Sequence, residues 1–478
     1  MSRVSMQKTP INRRTGVRSA GKTGLLAGKA ALTLAIALAL SPPALAQDDD
    51  RVAELEARVA ELEALVRQLV ESGNAPQAPA ASGTAPATSA QVEARAEAAA
   101  EQKVTEMLAQ EKAAQEEKAK RHSLKIGGYV KADFMYSDFS GGPVAGTSVG
   151  RDFYVPSTVP VGDQGQSYTD FHAQESRIFV SSEHNLESGD YLKAYVELDF
   201  LVGDNGDERI SNSYQPRMRH AYLQWNNWLF GQTWNTIFNV GALPELLDFV
   251  GPAESTVFGR QVMVRYTKGP WQLSIENPET TITNFGGAGR VDADDNKIPD
   301  LVARYNFSGD WGQWSIAGIL RELAYENQPL GIDSTETGYG LSVAGKFNVG
   351  DRDDLRWMVT AGSGLGRYVG LNIVTGAALD ENGELEAIDT VSAFVAYRHH
   401  WTEHFRSSAA IGWFSADHPT DITGLNVTEE ATSFHANLIW TPLPKLDIGV
   451  EYIFANREEE SGRDGDLNRF QFSAKYAY

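Results

Sequence analysis

The chain has 478 residues, with 42 Lys and Arg against 63 Asp and Glu, a formal net charge of −21 and no cysteine. Such acidity excludes nucleic acid as a partner. The missing thiol excludes disulfides and thiolate metal sites.

Residues 1–46 read as a secretory signal peptide. Arg3, Lys8, Arg13, Arg14, Arg18, Lys22 and Lys29 form a basic region without an acid, Ala30 to Leu40 is apolar, and Ala44-Leu45-Ala46 supplies a cleavage site. The apolar run is too short for a membrane helix, which needs roughly 20 residues. No later stretch is long enough either, and no Cys follows the cleavage site to carry a lipid. An exported chain of this kind is periplasmic, secreted or an outer-membrane barrel. Loss of the seven leader cations takes the net charge to −28. That charge suits acidic surface loops where divalent cations bridge lipopolysaccharide.

Residues 47–71 predict a periplasmic coiled coil. Val52, Leu55, Val59, Leu62, Val66 and Leu69 alternate steps of three and four, the a and d positions of heptads. Val at a with Leu at d favours a parallel dimer. Arg51-Val52-x-x-Leu55-Glu56 and Arg58-Val59-x-x-Leu62-Glu63 resemble instead the Arg-h-x-x-h-Glu motif of short trimeric coils, with Arg reaching Glu on the neighbouring helix. Residues 72–90 are a linker of Ser, Gly, Pro, Ala and Thr. Residues 91–122 predict a charged helix with few large apolar residues, Val104, Met107 and Leu108 the main ones, before the basic end.

From 123 to 478 the period is two, the signature of two-faced strands. About sixteen such segments predict an all-β transmembrane barrel of antiparallel strands, preceded by the short α-helical coiled coil. Tight turns, such as Asn226-Asn227, Lys268-Gly269, Gly309-Asp310, Gly350-Asp351 and Thr402-Glu403, alternate with longer connections. These are Gly141–Gln166, Asn235–Gly259, Glu279–Lys297, Glu322–Glu336, Gly366–Ile388 and Ala416–Glu429. Short periplasmic turns and long external loops belong to outer-membrane barrels, and both chain ends then lie in the periplasm. Sixteen strands leave a lumen that wall side chains cannot fill. The 235–259 connection carries Ile237, Phe238, Leu243, Leu246, Leu247, Phe249 and Val250, so it is expected to fold inward and narrow the hole. Packing on a neighbouring protomer is the alternative.

The last strand places Phe470, Phe472, Ala474, Tyr476 and Tyr478 on one face and Arg469, Gln471, Ser473 and Lys475 on the other. It looks like the C-terminal barrel-assembly signal, with Ser473 where Gly is usual. In lipid, sheets survive only as closed barrels, because every backbone group must be paired.

By alternation Lys125, Lys131, Arg177, Lys193, Arg217, Arg219, Arg265, Arg304 and Arg321 point into the lumen. They are candidate substrate-binding, pore-lining residues, since Arg can hold a carboxylate through two hydrogen bonds. Arg217 and Arg219 lie about 7 Å apart on one face. Asp133, Glu197, Asp199 and Glu276 also point inward. Pairing of these acids with the basic row, merely satisfying the wall, is the competing reading. His220, His399, His400, His404 and His435 fall in no catalytic motif, so no enzyme is expected and no cofactor is implied. Asp292-x-Asp294-Asp295-Asn296 lacks the Gly and distal Glu of a calcium loop, so it reads as an external acidic loop with at most weak cation binding and no metal site is assigned.

The blocks Tyr129-Val130-Lys131-Ala132-Asp133, Arg219-His220-Ala221-Tyr222, Gly231-Gln232-Thr233-Trp234, Ile275-Glu276-Asn277-Pro278-Glu279-Thr280 and Pro299-Asp300-Leu301-Val302-Ala303-Arg304-Tyr305 together resemble the DcaP-like, dicarboxylate-type porins. The resemblance implies a homotrimer of sixteen-stranded barrels in the bacterial outer membrane that takes up small anionic solutes, dicarboxylates above all, by passive diffusion. The residues alone reach a porin. The alternative is a structural anchor that ties the outer membrane to the cell wall through its coiled coil, a task for which eight strands would suffice.

Overall fold

The computed structural model describes residues 121–202, 211–287 and 289–478, together with residue 109. The expected signal peptide, coiled coil and linker lie outside the described residues, as does the charged helix apart from Ala109, Arg121 and His122.

The wall is built from β1 (His122–Phe139), β2 (Gln166–His172, resuming as Arg177–Asn185), β3 (Tyr191–Asp199), β4 (Arg217–Trp225), β5 (Trp228–Trp234), β6 (Arg260–Lys268), β7 (Trp271–Glu276) and β8 (Asp300–Gly309). It continues through β9 (Gly312–Asn327), β10 (Ile332–Val349), β11 (Asp353–Ser363), β12 (Asp389–His400), β13 (Phe405–Asp417), β14 (Thr428–Leu443), β15 (Leu446–Glu459) and β16 (Asp464–Ala477). The sheet has 17 segments, two of which are the halves of β2, so the barrel has sixteen strands. Each pairs antiparallel with its chain neighbour. β16 returns to β1 from Tyr129 opposite Ala477 to Phe139 opposite Leu467, and this closes the barrel. Where β2 is interrupted, the Ser176 hydroxyl bonds both the amide and the carbonyl of Lys131, so the gap leaves no orphaned ladder group there.

Alternation sorts the side chains as lipid demands. Phe470, Phe472, Tyr476 and Tyr478 face out, while Arg469, Gln471 and Ser473 are buried inside. Trp225, Trp228, Trp271, Tyr397, Trp401, Phe405 and Trp440 are exposed around the rim of tight turns. That is an aromatic girdle at the membrane interface.

The turns 226–227, 269–270, 310–311, 350–352, 401–404 and 444–445 lie on one rim with both barrel ends. The opposite rim carries the long connections, with one correction. Glu322–Glu336 is not a long loop. The β9–β10 ladder runs on to Asn327 opposite Ile332, and only a short turn over 328–331 remains. The extension is held because Leu323 packs fully buried with Ile282, Ala377, Leu379 and Leu385. These come from a small sheet (280–283, 290–293, 377–379 and 385–387) that joins two external connections.

The 235–259 connection turns back into the barrel. Ile237, Phe238, Ala242 and Val257 form one core with Val302, Ala317, Ile319, Ala344, Met358, Phe394 and Phe414 of the inner wall. Burying Ile237 and Phe238 contributes about 2 kcal/mol each. Space is made by Gly412 of β13, where a Cβ would lie 2.0 Å from the Glu254 carboxylate. The first external connection, 140–165, fills in beside it through Phe153, Tyr154 and Val155 packed with Val250 and Ala253.

Gly231 in β5 has φ +124°, and a Cβ there would lie 2.3 Å from the Ala221 carbonyl oxygen of β4. We expect Gly231→Val to lose most of the folded barrel, read as the fraction that resists unfolding on an unheated detergent gel. Gly318→Ala, whose nearest neighbour would be 3.8 Å away, should leave that fraction unchanged.

Candidate functional site: the lumen and its constriction

The infolded connection is pinned at its start, tip and end. At its start Thr236 N donates to Glu276 Oε1 at 2.8 Å. Asn239 Nδ2 donates to Ser315 Oγ and to the Ala344 carbonyl, both at 2.9 Å. At its tip Glu245 accepts from Arg398 at 2.9 Å and from Arg406 at 2.8 Å. Two flanking arginines and burial act on this carboxyl in opposite senses, and the arginines prevail: its pKa falls to about 2. Arg356 donates to the Leu243 carbonyl. Leu247 N donates to Glu451 at 2.5 Å, while its carbonyl accepts from Lys131 Nζ at 2.6 Å and Gln471 at 3.1 Å. At its end Glu254 is fully buried and accepts from Ser433 Oγ at 2.8 Å.

These contacts fill the lumen against β8–β16. A space left open beside them, among the described residues, runs along β2–β5. It is a cavity of about 420 Å3 lined by Arg177, Glu197, Arg219, His220 and Thr233, with the rings of Tyr195, Tyr222, Trp234, Phe249 and Phe258 around them. A larger depression of about 930 Å3, lined by Leu301, Leu320 and Leu341, lies on the lipid-facing side of β7–β12 and is not part of the passage.

A β-bulge shapes the charged wall. The β3–β4 register slips so that Glu197 opposes His220 while Leu198 opposes Met218. Arg219 is the extra residue, and both Arg219 and His220 are buried on the lumen side. Bulges re-aim side chains in this way beside functional sites. Arg217 grips Asp199 through two bonds of 2.8 and 2.7 Å. Arg219 bonds Glu197 at 2.7 Å and Asp199 at 2.8 Å. Arg177 lies 3.5 Å from Glu197, whose other oxygen accepts from Tyr195 OH at 2.6 Å. Three guanidinium groups thus share two carboxylates, leaving one positive charge in excess.

Of the nine predicted basic residues, Arg177, Arg217 and Arg219 come together in this cluster. Lys131 and Arg321 are almost wholly buried. Lys131 is held by Glu175, Asp133 and the infolded tip. Arg321 is held by Asp300 and the carbonyls of Glu279 and Gly364. Arg304 donates to the Phe238 carbonyl at 2.6 Å, and Arg265 reaches the Trp234 carbonyl at 3.5 Å, both beneath the start of the infolded segment. Lys193 pairs with Glu183 at 3.1 Å and Lys125 reaches it at 4.0 Å, towards the turn rim. Alternation missed Arg260. It pairs with Trp234 at the strand end and has outward parity, yet its guanidinium carbon lies 4.6 Å from the Trp234 ring centre and 5.7 Å from that of Phe258. Its place at the junction of a strand and the infolded segment was the available signal. Among the described residues no three His, Cys, Asp or Glu groups converge to hold a metal ion.

The family model of the DcaP outer membrane protein matches residues 98–478. Among solved structures, the outer membrane channel DcaP of Acinetobacter baumannii is 24% identical with a TM-score of 0.61, over 75% of this chain and 98% of that one. That similarity establishes the fold. OmpT of Vibrio cholerae (12% identity, TM-score 0.45, 75% of this chain and 98% of that one) and an anion-selective porin from Comamonas acidovorans (10%, 0.46, 75% and 100%) are too distant to add to it. No curated protein matches the chain.

Burial pushes the Glu254 carboxyl up to about 7 from the usual 4.5, against the opposing influence of Ser433, His435 and Tyr154. A raised acid pKa means that the folded state holds its proton where the unfolded chain has released it. The seat of the infolded segment is therefore firmest below pH 4.5, weakens as pH rises to about 7 and stays weaker above. We expect single-channel current noise to be greater at pH 8 than at pH 5, and Glu254→Gln to flatten that difference. Glu245→Ala leaves Arg398 and Arg406 without their shared partner, and should give a larger, noisier conductance at both pH values.

Proposed function

Because the chain belongs to the DcaP outer membrane protein family, and is on that ground an outer-membrane porin of the bacterial cell, we propose that it passes small anions, dicarboxylates among them, down their gradients. The observation that carries this reading is the excess of guanidinium over carboxylate on the wall of the remaining passage, where Arg177, Arg217 and Arg219 share Glu197 and Asp199. The acidic total of the chain does not oppose it, because many acids lie in external connections such as 380–386 and at the outer end of β15 over 458–460. At physiological ionic strength charges beyond about 8 Å are largely screened, so an ion in transit responds to the constriction and little to the loops. Such a channel uses no cofactor and turns over no substrate: a sized, charged hole is sufficient.

We also propose a homotrimer. A membrane strand needs roughly 9–11 residues, whereas β5 has 7 and β7 has 6. The low wall at β3–β7 exposes Val196, Met218, Leu223, Val262, Leu273 and Ile275. A second copy covers such a wall better than a bilayer thicker than its strands. The acidic external loops fit cation-bridged lipopolysaccharide.

In a planar bilayer under a KCl gradient, the purified protein should give a reversal potential of the anion-selective sign, and Arg217→Glu should move it towards cation preference. A cation-selective wild type would remove the anion reading and keep the porin. Absence of conductance from well-folded protein would favour the envelope anchor. Native mass measurement in detergent should find three copies per particle.

A further inference from the structure

We propose that Arg260 is the residue that takes hold of a carboxylate during transit, and that it decides affinity for a dianion. This rests on the anion-channel reading above. The arginines of the charged cluster are already engaged: Arg177, Arg217 and Arg219 each face Glu197, Asp199 or both. Arg260 has no ion pair among the described residues, and one of its terminal nitrogens, Nη1, is buried without a hydrogen-bond partner. That nitrogen has lost water and gained no partner, which is costly, while the residue as a whole is only half-buried and carries a charge with no anion beside it among the described residues.

Its setting suits the task. The guanidinium packs near the rings of Trp234 and Phe258, both of which line the 420 Å3 cavity. Ring contact restrains the plane of the group, and with Nη1 buried a two-point grip on a carboxylate falls to Nε and Nη2. The Trp234 ring also takes Arg219, at 5.6 Å. The two guanidinium carbons are therefore within about 10 Å of each other. Adding Arg260 to the cluster raises the excess from one positive charge to two. A small dicarboxylate matches that charge and can present one end to each group.

The test uses succinate as probe, in bilayers holding the wild-type channel, Arg260→Gln or Arg260→Lys, with chloride current and reversal potential recorded together. Chloride current through the wild type should be blocked by succinate in a saturable way. In Arg260→Gln the half-blocking concentration should rise about tenfold or more, the equivalent of about 1.4 kcal/mol. Arg260→Lys should keep the reversal potential and still bind succinate more weakly than wild type, because an ammonium is a point charge without the planar fork. Channel insertion itself reports folding for each variant. An anion-selective wild type blocked equally well with and without Arg260 overturns this inference and leaves the anion reading standing. A wild type with no anion preference and no block takes down both.

Discussion

Everything in this molecule follows from a backbone that has to satisfy itself in hydrocarbon. A strand in lipid finds no water for its amides and carbonyls, so each must be bonded to a neighbouring strand, and a row of strands has no place to stop. The pairing of β16 with β1, from 129 opposite 477 to 139 opposite 467, is where this requirement is met. Closure fixes that the ends lie together on one rim and that side chains alternate between lipid and lumen. Sixteen strands then set a width that side chains of the wall do not fill. The infolded connection answers that second requirement.

The infolded segment is where soluble-protein physics enters a membrane protein. Its apolar side chains find a core on the inner wall of β8–β14, and its tip is fastened by charge-assisted bonds to strands of the arc from β12 round to β1. Burial supplies adhesion without direction; the bonds donated by Arg356, Arg398, Arg406 and Lys131 and the one accepted by Glu451 supply register. The cluster on β2–β4 is of another kind. There each guanidinium is partly satisfied, and the mismatch between three arginines and two acids is left facing the passage.

Strand count, barrel closure and the faces of the last strand were legible because alternation is a strong signal when one face meets lipid. The 235–259 segment was legible because Ile237, Phe238 and Leu247 had no reason to be in a free loop. Other features were less visible. The β9–β10 extension beyond Glu322 was hidden because its partner surface comes from residues near 282 and 377–385, remote in sequence. Lys131 and Arg321 read as lumen cations, and alternation does give their side, but the connections that cover them are invisible to a strand pattern. Arg260 escaped because parity fails at a strand end. The bulge at Arg219 lets two successive residues face inward, which no period-two reading permits.

The off-centre packing of the lumen divides the inner circumference into two territories with different histories of substitution open to them. Along β8–β14 the inward residues are the core of a folded unit, where a change of one methylene alters packing. Along β2–β5 several of them line the 420 Å3 cavity, and outside Gly231 and the buried Arg219–Asp199 pair an exchange of side chain there alters the passage more than the packing. A lineage of such channels can therefore diversify its diet through a few positions on one arc of the wall while the rest of the barrel stays under purifying constraint.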